Sequence, residues 1–168
     1  MSVSLWRIGT TLGKYTADDL SGSGAAAVGG RFNSVGTATV YTALNVATAM
    51  LETVVYFGVG AKAHSNKYLI EIAVPDNLFK ARKKINIAQL KTAGYKFWDA
   101  IPFSESSQPL GDQWVKAGDT LLLEVPSAIL PHAAIPDQNV LINPAHPDFA
   151  QLKIVRMDKF IYDPRLTS

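Results

Sequence analysis

With 168 residues, 48% of them apolar and 18% charged, the chain can bury one core but not two, and global disorder is excluded. A net charge of +2 argues against direct, non-specific binding of nucleic acid as its main task. There is no cysteine, which rules out disulfides, thiolate nucleophiles and cysteine-ligated metals and permits a reducing compartment.

In chain order, the N-terminal residues Met1 to Arg7 lack the basic start and apolar centre of a secretion signal. No stretch approaches the roughly 18 apolar residues that cross a bilayer. A soluble cytoplasmic protein is expected, with residues 1–168 as one domain and no membrane partner. Leu5 to Ile8 alternates apolar and polar, so it predicts a first strand. Ser21 to Gly30 is rich in Ser, Gly and Ala and predicts a loop. Thr37 to Thr42 is β-branched and aromatic, a second strand. Asn45 is a good N-cap for a helix from Val46 to Phe57, closed by Gly58 and Gly60. That helix is apolar on most of its circumference, so burial on several sides is expected. Its only charge is Glu52.

Lys67 to Val74 alternates and stops at Pro75, another strand. The basic run Lys80 to Lys84 reads as a solvated face. Asn86 caps a short helix through Leu90. Residues 94–110 are aromatic and turn-rich and predict an irregular wall or flap. The aromatics around Phe97, Trp98 and Phe103 are expected to be exposed, as pocket wall or as interface. Gly111 to Ala117 predicts a turn or two of helix. Thr120 to Val125, Asn139 to Ile142 and Lys153 to Tyr162 complete the strands. Strands and helices do not alternate regularly, which predicts an α+β fold around a mixed or antiparallel sheet.

Three islands then stand out: Gly29-Gly30-Arg31-Phe32-Asn33, Leu51-Glu52, and Val125-Pro126-Ser127-Ala128-Ile129. Each sets one polar group in apolar or Gly-rich surroundings, where burial without a partner is costly. Arg31 has the fork to grip a phosphate or carboxylate; the structural alternative is pairing with Glu52 or a carbonyl. Glu52 suits holding a hydroxyl or offsetting a developing cation; the alternative is a helix-end residue that reaches water. Ser127 lies at a strand end, where sites gather, but a serine there also serves as a turn cap. Tyr41 offers a ring to stack on a flat ligand or to fill the core. Arg7 is a second anion contact or a surface ion pair. His64, His132 and His146 have no metal-ligand spacing, and structural roles are expected for all three, with no metal site.

Taken in order, the segments Leu5-Trp6-Arg7-Ile8, Gly29 to Asn33, Val40-Tyr41-Thr42-Ala43, Ala49 to Glu52, Leu110-Gly111-Asp112, Leu123 to Ile129 and Asn139 to Pro147 resemble the RES-domain family, named for Arg, Glu and Ser. Phe32 stands where many relatives carry Trp, and Ala43-Leu44 replaces a more polar pair. The resemblance implies a fold related to ADP-ribosyltransferases and a bacterial toxin that consumes NAD⁺ as its substrate, with no separate cofactor. It implies Glu52 beside the ribose, Arg31 joined by Arg7 on the pyrophosphate, Tyr41 stacked on nicotinamide, and Ser127 orienting ribose or amide. The acceptor is water, phosphate or a protein side chain. It further implies an Xre-type helix-turn-helix antitoxin as partner and an oligomer formed with it.

Overall fold

The computed structural model describes residues 1–55, 66–130 and 137–166. Twelve elements carry the fold among them: β1 (Ser2–Thr10), α1 (Ser23–Val28), β2 (Val40–Ala43), α2 (Val46–Val54), β3 (Lys67–Pro75), α3 (Asp76–Lys80), β4 (Lys83–Lys84), α4 (Ile87–Thr92), α5 (Gln108–Ala117), β5 (Leu122–Pro126), β6 (Gln138–Ile142) and β7 (Lys153–Lys159). The seven strands form one sheet in the order β4-β5-β6-β2-β1-β3-β7. Every neighbouring pair is antiparallel except β4 with β5. The α+β expectation holds, with a mixed sheet.

Alternation along β5 and β6 explains why both read as continuous apolar runs. Leu122, Val140 and Ile142 pack into one cluster with Leu5, Val40, Ile70, Ile72 and Val74. Leu123, Val125 and Leu141 point to the opposite face and pack with Phe32, Leu90, Trp98 and Trp114. The sheet is covered on both sides at this half, as a two-faced strand requires. Each fully buried Leu, Ile or Val here contributes about 1.5–3 kcal/mol relative to exposure.

Several expectations change in the folded chain. The Ser/Gly/Ala segment contains a helix, α1, rather than a loop throughout: Ala25 to Ala27 are strong helix formers, and Gly22 enters with φ 73°. β2 starts at Val40, because Thr37 is already held in a turn by Ser34 O and by the Asn33 amide. α2 is capped by Asn45, whose Oδ1 accepts from Thr48 N at 2.8 Å. It is buried only at Thr48 and Ala49, with Ala47 and Val55 exposed, so it covers the sheet with one side. The expected continuation through Phe57 to Gly58 and Gly60 lies outside the described residues, as do His64 and His132.

The basic run is not uniformly solvated. Arg82 is nearly buried, and its Nε donates to Glu124 Oε2 at 2.6 Å while its guanidinium lies 3.7 Å from the Phe79 ring centroid. Glu124 sits inside β5, and such a carboxylate needs a partner. Lys83 and Lys84 form the short edge strand β4 beside it. Trp98 is also buried, at 1% exposure, whereas Phe97 stays 66% exposed. His146 Nδ1 accepts from Asp148 N at 3.1 Å and caps the turn that follows, which is a structural role.

α5 is tied to the Gly29-to-Asn33 segment by Asp112. Its Oδ1 accepts from Ser34 N at 2.9 Å and its Oδ2 from Ser34 Oγ at 2.6 Å. Desolvation pushes the Asp112 pKa up, but hydrogen bonds from Ser34 and Thr37 outweigh it and hold the carboxyl below its ordinary value. A depressed carboxylate stabilises the fold above its unfolded value, near 3.9. That contribution is lost as pH falls through the folded value. Denaturation midpoints followed below about pH 4 should therefore fall more steeply for the wild type than for Asp112→Asn. Equal acid slopes would remove Asp112 from the account.

Candidate functional site

A cleft of about 500 Å³ opens between β1, α1, β2 and α2. This is within the usual range for small-molecule sites. Arg7, Arg31, Tyr41 and Glu52 all line it, with Trp6, Asp19, Thr39, Thr53, Ala128 and Asn139 among the rest. Arg7 and Glu52, 45 positions apart in sequence, meet because β1 and β2 are sheet neighbours and α2 follows β2 directly.

The Gly-Gly-Arg segment is shaped from below by a tyrosine. The Phe32 amide donates to Tyr41 Oη at 3.0 Å, and Tyr41 Oη donates to Asn33 Oδ1 at 2.8 Å. A Cβ on Gly30 would lie 2.7 Å from both Tyr41 Oη and Asn33 Oδ1, so only glycine lets the loop sit this close. The phenol is thereby pinned. From outside, Ser107 Oγ donates to Arg31 O at 2.7 Å and Gln108 Nε2 to Gly30 O at 3.1 Å.

Arg31 and Glu52 take partners other than each other. The Arg31 guanidinium donates to the carbonyls of Trp98 and Ala100, the second at 3.3 Å. This joins the irregular 94–103 segment to the cleft wall. Glu52 Oε1 accepts from Asn139 Nδ2. Asn139 stands on β6 opposite Ala43 of β2, directly under α2. The carboxylate of the apolar helix is thus held at the cleft by a neutral amide, with no ion pair among the described residues.

Arg7 differs again. Burial pushes its pKa down, and Asp19 opposes this by its charge. The guanidinium stays protonated, and its hydrogen bond among the described residues is a long one, Nη1 to Asp19 O at 3.4 Å. A desolvated cation with so weak a partner is a ready contact for an anion entering the cleft. Ser127 lies behind the wall. It is fully buried at the end of β5, and its Oγ accepts from the amides of Ile129 and Leu130, both at 3.2 Å. Its neighbour Ala128 lines the cleft in its place. Asn139 and Thr39 were not singled out by sequence reasoning. Asn139 carried a usable signal, a polar residue inside a short apolar strand; Thr39 carried none, since threonine is ordinary near a strand.

The comparisons with known proteins bear on this geometry. Residues 4–164 match the RES domain. The chain belongs to the RES-domain family. A RES relative from Sphingobium sp. (strain YBL2), "Prs ADP-ribosylating toxin", is 44% identical over 166 residues, covering 99% of this chain and 98% of the relative. A protein named "Toxin Res" from Pseudomonas putida is 34% identical over 96% of this chain and 98% of its own. Another "Toxin Res", from Yersinia enterocolitica, is 32% identical over 96% and 98%. A chain of the solved M. tuberculosis MbcT-MbcA toxin-antitoxin complex superposes with a TM-score of 0.64 over 99% of this chain and 87% of that one. At 17% identity that likeness establishes the shared fold. No helix among the described residues is long and apolar enough to cross a membrane.

Proposed function

We propose that this RES protein is a toxin that cleaves NAD⁺ at the nicotinamide–ribose bond. The observation that carries this reading is the convergence of Arg7, Arg31, a pinned Tyr41 and an amide-held Glu52 carboxylate on one cleft. Two guanidiniums suit a pyrophosphate, and the phenol ring suits a flat base.

The chemistry asks for little more. When the bond from C1′ to the pyridinium nitrogen breaks, its electron pair leaves with nicotinamide, which departs neutral and needs no general acid. Positive charge then develops on the ribose, as in glycoside cleavage. Glu52 would offset that charge and hold ribose hydroxyls, an electrostatic role that strengthens as the bond breaks. Asn139 would keep the carboxylate aimed. Ser127, placed behind the wall, would act on this site through the turn it holds. A nucleophile adds to C1′ and gives up its proton.

The 44% identical relative is named as an ADP-ribosylating toxin. That name favours a protein side chain as the acceptor over water or phosphate. The structural neighbour was solved as a toxin-antitoxin complex, which supports an antitoxin partner. A helix-turn-helix protein of the Xre type, with the DNA contact on the antitoxin and the toxin held in an oligomer with it, is the proposed form. Mixing the purified chain with labelled NAD⁺ and cell lysate tests the reading. Loss of NAD⁺ with a labelled protein band is expected; free ADP-ribose or its 1-phosphate would move the acceptor to water or phosphate, and unchanged NAD⁺ from folded protein would overturn the reading.

A further inference from the structure

The cleft is not lined alike along its length. Glu52 and Asn139 lie toward one end, level with Trp6, because Asn139 stands opposite Ala43 and Ala43 opposite Trp6. From Trp6, β1 runs four more residues to Thr10, about 13 Å at the rise of a strand. Beyond it the chain turns sharply, with Leu12 and Tyr15 exchanging backbone hydrogen bonds at 2.9 and 3.1 Å. Ala17 then folds back onto Gly9, where an added Cβ would lie 2.3 Å from Ala17 O. The turn is therefore fixed well along the cleft from the carboxylate. Arg7 lies between, with its guanidinium reaching toward Asp19.

Both side chains of the turn line the cleft and are open to a ligand, Leu12 at 67% exposure and Tyr15 at 40%. Apolar and aromatic groups left so accessible in a cleft are the ordinary lining of a small-molecule site. α1 adds Gly24, Ala25 and Val28 to the lining, with nothing bulkier than valine. A Cβ on Gly24 would meet nothing within 4 Å, so there is room above it. Lys14 Nζ stands 5.4 Å from the Tyr15 ring centroid and covers one face of the ring. The other face is left for a flat ligand.

We propose that Tyr15, with Leu12, forms a stacking platform for the adenine of NAD⁺, the base remote from the bond that breaks. The inference rests on the reading of the site as an NAD⁺-cleaving cleft. The order of groups along the cleft matches the order along that substrate. A carboxylate stands at the ribose that develops charge, a guanidinium at the anionic pyrophosphate, and an aromatic, apolar surface at the second base. Stacking on an aromatic ring suits any base, since every base has a π-face. Here it would add affinity for the whole dinucleotide and none for its nicotinamide half alone.

The experiment compares the wild type with Tyr15→Ala and Tyr15→Phe. The side chain is exposed on a turn, so all three should melt together. In Tyr15→Ala the KM for NAD⁺ is expected to rise roughly ten- to hundredfold. Its kcat should stay within about twofold of wild type, since the ring sits away from the reacting atoms. The Kd of AMP, read by calorimetry, should rise by the same factor as KM. The Kd of nicotinamide mononucleotide, which lacks the adenylate half, should not change. Phenylalanine keeps the ring and should match the wild type on every measure. Tyr15→Leu, which keeps apolar bulk without the ring, carries the same comparison if the alanine variant melts early. Wild-type KM and AMP affinity in Tyr15→Ala would overturn the proposal, as would a wild type without saturable AMP binding. So would equal losses of AMP and mononucleotide affinity, which mark a ring that supports the cleft as a whole. A wild type that leaves NAD⁺ intact yet binds AMP through Tyr15 would defeat the cleavage reading alone and leave the base platform standing.

Discussion

Replacing Glu52 by Gln is expected to slow NAD⁺ consumption by roughly 10²–10³-fold, the usual cost of removing one preorganised electrostatic contact from a transition state. The melting temperature should hardly move. The physical reason lies in the partner. Asn139 Nδ2 donates to Glu52 Oε1, and a glutamine carbonyl can accept that same bond. Gln therefore removes the charge while keeping the shape and the contact. Glu52→Ala would leave the Asn139 amide without its acceptor and confuse loss of fold with loss of chemistry. Activity assays and thermal melts of the same Gln preparation separate the two. Full activity in this variant would take the carboxylate out of the mechanism.

Gly111→Ala should be among the most damaging single-methyl changes in the chain. A Cβ there would lie 1.7 Å from Phe32 O and 2.8 Å from Phe32 C, both backbone atoms that no side-chain rotation can clear. Either α5 or the Arg31-Phe32-Asn33 segment must move. Overpacking of this kind costs about 3 kcal/mol, which for a domain of this size lowers the melting temperature by roughly 6–12 °C. The damage should reach the site, because Ser107 and Gln108 at the start of α5 hold the carbonyls of Arg31 and Gly30. Both stability and NAD⁺ cleavage are expected to drop together. A melting curve superimposable on wild type would show that the helix is not seated this tightly.

How far the site was legible follows from what each residue depends on. Arg31, Glu52, Tyr41 and Arg7 were visible as polar or aromatic groups set in apolar or glycine-rich runs, and all four line one cleft. Ser127 carried the same local signal but turns its oxygen to the Ile129 and Leu130 amides behind the wall. The difference depends on the direction of one strand end, which no local pattern encodes. The partners were equally hidden. That Arg31 meets the carbonyls of Trp98 and Ala100, and Glu52 the amide of Asn139, depends on contacts spanning 67 or more positions.

The fold divides along similar lines. Period-two alternation located the long strands, and side-chain caps located α2 and α4, since Asn45 and Asn86 both accept from backbone amides at their helix starts. α1 was obscured by its flanking glycines. The buried Arg82–Glu124 pair was obscured because a run of cations reads as solvated until one of them meets a carboxylate inside a strand.

What the amino-acid order determined on its own was the long strands, the capped helices and the family, because residue type, period and ordered motifs are local or linear properties. Only the tertiary structure decided which residues share the cleft and which partners hold them. Those depend on the β4-β5-β6-β2-β1-β3-β7 strand order. That order is set by many weak, non-local burial terms acting together, and no single segment carries it.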